Sequence, residues 1–144
     1  MTAYRSLGYE IAKLHKALRS HLQELLLPYD ITVQQFEALR ILKTDAGITA
    51  TQLVERMMSD SSTIMSILKR LESKALIMRR PAENDRRTKL IFLTEKGRNM
   101  MAKLAVLADQ RNKRIQACCS DEEWQVLENI LSKLHNFCRS ERER

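Results

Sequence analysis

The largest excess of positive charge in the chain lies between residues 69 and 98, where ten Lys and Arg side chains occur with only four Asp and Glu. The net charge of this segment, +6, accounts for nearly all of the formal net charge of +7 of the whole chain. A compact cationic element of this kind attracts a polyanion, and nucleic acid is the first candidate. The sequence has no catalytic nucleophile and base at a recognisable spacing, no phosphate-binding loop and no glycine-rich nucleotide-binding motif. We therefore expect a binding protein without a cofactor and not an enzyme.

A strand–turn–strand pattern occupies the second half of this basic segment. Residues 76–80 and 89–93 have the composition of strands, and residues 81–85 supply Pro, Asn and Asp for the turn. An arginine at the tip of such a hairpin can enter a narrow minor groove, and Asp85 could orient one of the guanidinium groups of Arg86 and Arg87 through a paired hydrogen bond. The alternative is an exposed ion pair contributing about 0–1 kcal/mol. The candidate DNA contacts on this hairpin are Arg79, Arg80, Asp85, Arg86, Arg87 and Lys89.

A short helix is predicted directly before the hairpin, from about residue 61 to residue 74. Its inward face is apolar, and its outward face begins with small hydroxyl side chains that would allow close approach to base edges. The cations further along suit phosphate contacts, which position a protein without specifying sequence. The candidate recognition residues are Ser61, Ser62, Thr63, Met65, Ser66, Lys69 and Arg70. On a lone helix these residues would describe only a helix start and a solvated face, but the adjoining basic hairpin favours DNA recognition.

Helices account for most of the remaining chain. An apolar stripe at helical spacing predicts an N-terminal helix that ends at Pro28. Capping boxes that begin at Thr32, Thr49 and Ser120 mark three further helix starts, and Thr94 is a plausible cap for a long helix after the hairpin. We therefore predict a mainly α fold with a small β-hairpin wing. Residues 31–98 would form a winged helix-turn-helix DNA-binding module, and residues 1–30 and 99–144 would form dimerisation helices.

Five segments follow one another between residues 31 and 98: ITVQQF at 31–36, DSST at 60–63, KRLESK at 69–74, DRR at 85–87 and LTEKG at 93–97. In this order and spacing they resemble the core of the MarR family of bacterial transcriptional regulators. It implies a homodimer whose terminal helices interlock and whose two winged modules read the halves of a palindromic operator. It also implies that Ser61, Ser62, Thr63 and Ser66 lie on the recognition helix, and that Asp85 and Arg87 form the wing pair at the minor groove.

One residue departs from the pattern of that family. Ala75 stands where the family usually has glycine after the recognition helix, and a left-handed backbone there costs alanine more than glycine. We therefore expect the end of this helix, and with it the angle of the wing, to differ slightly.

The apolar stripes of the terminal helices also favour a dimer. A winged module cannot cover three such helices, and a monomer rarely exposes so large an apolar patch. Pairing two copies about a twofold axis would bury it, whereas a closed monomeric bundle is the alternative.

Histidines and cysteines give weaker signals. His15 and His21 lie near where MarR-type regulators often bind small anionic or phenolic molecules, so they are weak candidates for an effector site. Cys118, Cys119 and Cys138 lack the paired spacing of a zinc site, and free cysteines are commonly small buried apolar residues. We expect no metal.

The combined prediction is a cytoplasmic transcriptional regulator that binds double-stranded DNA in a sequence-specific manner. It would be a homodimeric repressor on a palindromic operator, and a small-molecule effector would release it. Two alternatives remain: a winged-helix adaptor whose basic face meets an acidic protein, and a non-specific architectural DNA binder. No interaction with a membrane is expected, because no apolar run approaches the roughly 20 residues of a membrane helix.

Overall fold

The fold, given by a computed structural model that describes residues 6–143, is mainly helical with one β-hairpin. Its elements are α1 (Leu7–Leu26), a 3₁₀ turn (Leu27–Tyr29), α2 (Val33–Thr44), α3 (Ala50–Met57), α4 (Ser61–Ser73), β1 (Ile77–Pro81), β2 (Lys89–Leu93), α5 (Glu95–Gln116) and α6 (Asp121–Arg142). The predicted fold class is confirmed. The first five residues of the predicted N-terminal dimerisation segment, and Arg144, lie outside the described residues. The described chain divides into two units, residues 6–106 and 107–143.

The three predicted capping boxes are all formed. At the start of α2, Thr32 Oγ1 accepts from the Gln35 backbone N–H at 3.1 Å, and Gln35 Oε1 accepts from the Thr32 N–H at 3.2 Å. The boxes that begin at Thr49 and Ser120 have the same reciprocal bonds. Each box satisfies amide donors that the first helical turn leaves unpaired, which is why these helices begin where the sequence predicts.

The core of the first unit lies between the three short helices and the hairpin. α2, α3 and α4 turn their apolar faces inward, and the hairpin and the first half of α5 close the core. Full burial of a Leu, Ile or Phe side chain contributes about 1.5–3 kcal/mol, so this core holds the module together. Its buried members from these elements include Phe36, Leu39, Leu42, Leu53, Ile64, Ile67, Leu68, Leu71, Ile77, Ile91, Leu93, Met101 and Leu104.

The hairpin pairs β1 and β2 in antiparallel register from Ile77 opposite Leu93 to Pro81 opposite Lys89. β2 has its predicted bounds, whereas β1 begins one residue later than predicted. An isolated bridge between Ile48 and Ile91 attaches the hairpin to the segment before α3, with the Ile91 N–H donating to the Ile48 carbonyl at 2.8 Å. The wing is therefore anchored at its base, and residues 82–88 form its tip.

Two side chains tie α1 to the module that follows it. The Gln23 amide donates from Nε2 to the Ile31 carbonyl at 3.2 Å and accepts from the Val33 N–H on Oε1 at 3.0 Å. Arg19 forms an ion pair with Glu37 of α2 at 3.4 Å. The start of α2 is thus fixed directly to α1. α1 itself ends at Leu26, two residues before the predicted stop, and Pro28 lies within the 3₁₀ turn.

The end of α4 is closed by a left-handed residue. Ala75 has φ +57°, the Ala75 N–H donates to the Glu72 carbonyl at 2.8 Å, and the Leu76 N–H donates to the Leu71 carbonyl at 3.0 Å. This pair of bonds is the Schellman arrangement, in which glycine is the preferred left-handed residue. Alanine adopts that backbone here, so this helix end forms the cap in which glycine is usual, and the expected difference in wing angle stays a prediction.

The beginning of α5 packs against this same helix end. Thr94 Oγ1 donates to the Ala75 carbonyl at 2.6 Å, and Lys96 Nζ donates to the Lys74 carbonyl at 2.9 Å. The Gly97 N–H donates to Thr94 Oγ1 at 3.0 Å, which confirms Thr94 as the cap of α5. A Cβ at Gly97 would lie 2.0 Å from the Leu76 carbonyl oxygen, so this close approach requires glycine.

The second unit consists of the end of α5 and the whole of α6. Trp124 Nε1 donates to the Gln116 carbonyl at 2.7 Å and so links the two helices across their connection. No residue of α6 is buried in the described structure, although the helix is rich in apolar side chains. Of the helices in the described part of the chain, none combines the length and the apolar content that spanning a membrane requires.

Candidate nucleic-acid interface

The start of α4, the predicted recognition helix, is fixed by Asp60. One carboxylate oxygen accepts from the Thr63 backbone N–H at 2.8 Å, and the other accepts from the Thr63 hydroxyl at 2.6 Å. These bonds, the hydroxyl one foremost, hold the pKa of Asp60 below its ordinary value. Because the Thr63 hydroxyl donates to Asp60, it is not free to donate to DNA. Thr63 is half-buried and serves the helix start.

The outward face of α4 presents the other six candidate recognition residues. They form two rows of four-residue spacing, which places the members of each row one above the other on the helix surface. All six are exposed, and the opposite face of α4 is buried. The rows are Ser61, Met65 and Lys69, and Ser62, Ser66 and Arg70. This face therefore changes along the helix from small hydroxyl groups to cations.

A groove of about 310 Å³ runs between this face and the start of α2. From α4 it is lined by Ser62, Ser66 and Arg70, and from α2 by Thr32 and Gln34 among others. The sequence interpretation missed Gln34, which is exposed two residues after the helix cap Thr32. The capping box could have indicated Gln34, because it places this side chain in the first turn of α2, beside the free amide groups of the helix start.

The tip of the wing differs from the sequence prediction in one interaction. Asp85 Oδ1 accepts from the Arg87 backbone N–H at 2.9 Å, and Oδ2 accepts from the Thr88 hydroxyl at 2.8 Å. The Arg87 N–H bond is the main cause that lowers the pKa of Asp85. The prediction that Asp85 pairs with an arginine guanidinium at the tip is wrong in this structure. A carboxylate reaches its own backbone two residues on with less loss of entropy than a pair with a long arginine requires.

The remaining cations of the wing divide into free and engaged groups. Arg86, Arg87 and Lys89 are exposed, and within residues 6–143 their side chains form no hydrogen bond or ion pair. Arg80 lies over the Phe92 ring, 5.9 Å from its centroid. Arg79 is engaged with an acidic residue of α4 and is only 24% exposed. The structure thus brings Arg86 and Arg87 to the tip as predicted, but it does not present Arg79 as a free cation.

The histidine and cysteine candidates lie outside α4 and the wing. His15 and His21 are exposed on α1. Cys118, Cys119 and Cys138 are exposed free thiols, so the expectation that they are small buried residues is wrong for the chain as described. Among the described residues, no group of three or more His, Cys, Asp and Glu side chains is placed to hold a metal ion.

Similarity to known proteins extends over most of the chain. Residues 31–89 match the model of the MarR family. The transcriptional regulator HosA of Escherichia coli O111:H- is 25% identical over 107 residues, which make up 74% of this chain and 79% of HosA. A crystal structure of a MarR-like transcription regulator from Bacillus cereus ATCC 10987 superposes with a TM-score of 0.85 at 26% identity, over 92% of this chain and 96% of that one.

The similar structures include complexes with DNA. The crystal structure of a cysteine-to-serine mutant of MarR from E. coli, complexed with operator DNA, is 30% identical to this chain. The superposition has a TM-score of 0.81 and covers 89% of this chain and 92% of that one. The exposed face of α4 and the basic wing thus belong to a fold that a similar protein uses on an operator.

Proposed function

The chain belongs to the MarR family of transcriptional regulators, and from this membership we propose a homodimeric repressor that recognises a palindromic operator. The observation that carries the proposal is the exposed face of α4 next to a wing tip whose arginines have no partner in the described structure. A recognition helix lies in the major groove with its N-terminal residues toward the base edges. A wing beside it reaches the neighbouring minor groove, whose negative potential attracts arginine.

The two halves of the exposed face of α4 have different roles in recognition. Ser61, Ser62 and Ser66 lie where the helix approaches the base edges, and their hydroxyl groups can donate to or accept from bases. Met65, which is 43% exposed, offers an apolar surface to a thymine methyl group. Lys69 and Arg70 lie further along the helix and are placed for the phosphates. Sequence preference therefore comes from the first half of α4, and register on the duplex from the second.

Exposed apolar side chains support the homodimer. Five apolar residues of α6 are between 41% and 62% exposed, and Leu7, Tyr9, Ile11 and Leu14 of α1 are between 47% and 63% exposed. The five residues of α6 are Val126, Leu127, Ile130, Leu131 and Phe137. Isolated apolar residues are normal on a surface, but helices that expose so many are typical of an interface. A second copy about a twofold axis would cover them and present two recognition helices to successive major grooves, about 34–36 Å apart.

The attachment of α1 to the winged module supports release by an effector. Gln23 and Arg19 fix α1 to α2, and Lys74 at the end of α4 forms an ion pair with Asp30 at 3.1 Å and donates to Gln35 at 3.3 Å. A tilt of α1 would therefore move α2 and α4 with it. A molecule that binds near α1, where His15 and His21 are exposed, would change the separation of the two modules and weaken their joint fit to the operator.

Selection of bound duplexes from a random pool tests this proposal. We expect an enriched inverted repeat whose two halves are separated by about one helical turn. Enrichment without symmetry would contradict the dimeric operator, and no enrichment would favour an architectural DNA binder. Failure to retain any duplex, together with retention of an acidic protein, would favour the adaptor.

Substitutions in α4 then separate base recognition from phosphate contact. Ser62→Ala and Ser66→Ala should lower the preference for the selected duplex over a random duplex. Lys69→Ala should weaken binding to both duplexes by a similar factor and reduce the dependence of affinity on salt by about 0.9 in log–log slope. Gel-shift titrations at two salt concentrations measure both effects. Equal effects of the serine and lysine substitutions on the two duplexes would contradict the assignment.

A further inference from the structure

An ion pair joins the recognition helix to the wing. Arg79 donates from Nε to Glu72 Oε1 at 2.8 Å and from Nη2 to Glu72 Oε2 at 3.1 Å. The pair is bidentate and partly buried, with Arg79 24% and Glu72 36% exposed. We propose that Glu72 and Arg79 are positioning residues that hold the wing at the angle at which its tip and the recognition helix engage DNA together. This inference rests on the DNA-binding function proposed above.

The backbone between these two residues makes the pair effective. Glu72 lies in the last turn of α4, Arg79 is the third residue of β1, and the left-handed residue Ala75 reverses the chain between them. Thr94 and Lys96 fix the carbonyl groups at this reversal, but they do not bond to β1. The two parallel hydrogen bonds of a guanidinium and a carboxylate restrict rotation about the reversal, because such a fork has one favourable plane.

The position of Arg79 on its strand also argues against contact with DNA. Side chains alternate along a strand, so Arg79 shares a face with Ile77, which is buried, and lies opposite Ile91, which is also buried. An arginine on the inner face of a sheet requires a partner, and Glu72 supplies it. The charge of Arg79 is thereby neutralised, whereas Arg86 and Arg87 remain free at the tip.

The direction in which Glu72→Gln changes DNA affinity distinguishes a positioning role from a purely electrostatic effect. Glu72 is an acidic residue on the helix that faces a polyanion, so Coulomb interaction alone predicts tighter DNA binding for Glu72→Gln. A positioning role predicts the opposite. We expect Glu72→Gln and Arg79→Met each to weaken binding to the duplex selected by the wild-type protein by about tenfold, which is within the range of coupling in ion-pair networks.

Glu83→Gln is the matched control. Glu83 is an exposed acid in the wing loop and forms no ion pair in the described structure, so its neutralisation should leave binding unchanged or strengthen it slightly. Arg79→Lys is the conservative test: a lysine can replace a phosphate contact but cannot form the fork, so it should not restore affinity. If Glu72→Gln binds as Glu83→Gln does, or if Arg79→Lys retains wild-type affinity, the positioning role is refuted.

A double-mutant cycle with Arg87→Ala tests whether the pair acts through the wing tip. If it does, Arg87→Ala should cost a much smaller factor in the Glu72→Gln background than in the wild type, because the tip is already misplaced. Independent, multiplicative losses would show that the pair does not act through the wing tip and would overturn the inference. Thermal unfolding of each variant shows whether an affinity loss reflects loss of the fold. If Arg79→Met does not fold, Arg79→Lys, the mildest change, tests the positioning role instead.

Hydrogen exchange on the free protein provides a measurement that needs no DNA. Loss of the pair should speed amide exchange in residues 77–93 and leave the amides of α2 unchanged. If the wild-type protein selects no duplex, the proposed function fails, while the exchange result still reports on the pair. Unchanged exchange in the hairpin of both Glu72→Gln and Arg79→Met would refute the inference even if operator binding is confirmed.

Discussion

Replacement of Ala75 by glycine should stabilise the protein. A left-handed backbone costs an L-residue about 1–2 kcal/mol, and Ala75 holds φ +57°. Glycine removes that cost but loses more conformational entropy on folding, by roughly 0.5–1 kcal/mol. Ala75 is exposed, so the substitution removes no buried methyl group. The free energy of unfolding should therefore rise by about 0.5–1 kcal/mol in Ala75→Gly.

Urea unfolding followed by circular dichroism measures this change, at one fixed protein concentration because association would shift the midpoint. Ala102→Gly is the matched control. Ala102 is an exposed residue within α5, where glycine should lower the free energy of unfolding by up to about 1 kcal/mol. The same chemical change should thus have opposite signs at the two positions. Destabilisation of Ala75→Gly by as much as Ala102→Gly would refute the strain argument.

Three further outcomes follow from the same structure. Gly97→Ala should destabilise the protein by about 1–3 kcal/mol in urea unfolding, because the new Cβ would lie 2.0 Å from the Leu76 carbonyl oxygen; an unchanged midpoint would contradict that contact. The pKa of Asp60 is lowered in the folded state, so its stabilising effect is complete above the ordinary value of 3.8 and is lost as pH falls below it. The difference in unfolding free energy between wild type and Asp60→Asn should accordingly shrink below pH 3.8, and a constant difference would be inconsistent with the cap. Arg87→Ala should weaken binding to the selected duplex by about 1–3 kcal/mol in gel-shift titrations, whereas unchanged affinity would eliminate its role at the minor groove.

Local motifs made most of the fold predictable. A capping box is complete within four residues, so Thr32, Thr49 and Ser120 located three helix starts correctly. β1 was placed one residue too early because Leu76 is apolar like a strand residue. In the structure Leu76 instead completes the helix cap, since its N–H bonds back to the Leu71 carbonyl. An apolar pattern cannot distinguish these two uses of a leucine.

The candidate interface was harder to predict because its interactions join residues across turns. The sequence places Asp85 beside Arg87, but it does not say whether the carboxylate bonds to the backbone or to the guanidinium. Residue type alone does not distinguish Arg79 from the other cations of the wing. Only its position on the inner face of β1, opposite α4, shows that it pairs with Glu72. Sequence reasoning thus found the surface but could not assign each side chain on it.

A change in the spacing of the selected operator tests the central claim most directly. If two copies of this chain bind as one rigid twofold unit, inserting about five base pairs between the half-sites turns one of them to the opposite side of the duplex. The affinity for the altered duplex should then fall close to that for a random duplex of the same length, while the unaltered operator binds two chains. Full affinity for the altered duplex, or a complex containing one chain, would contradict the account.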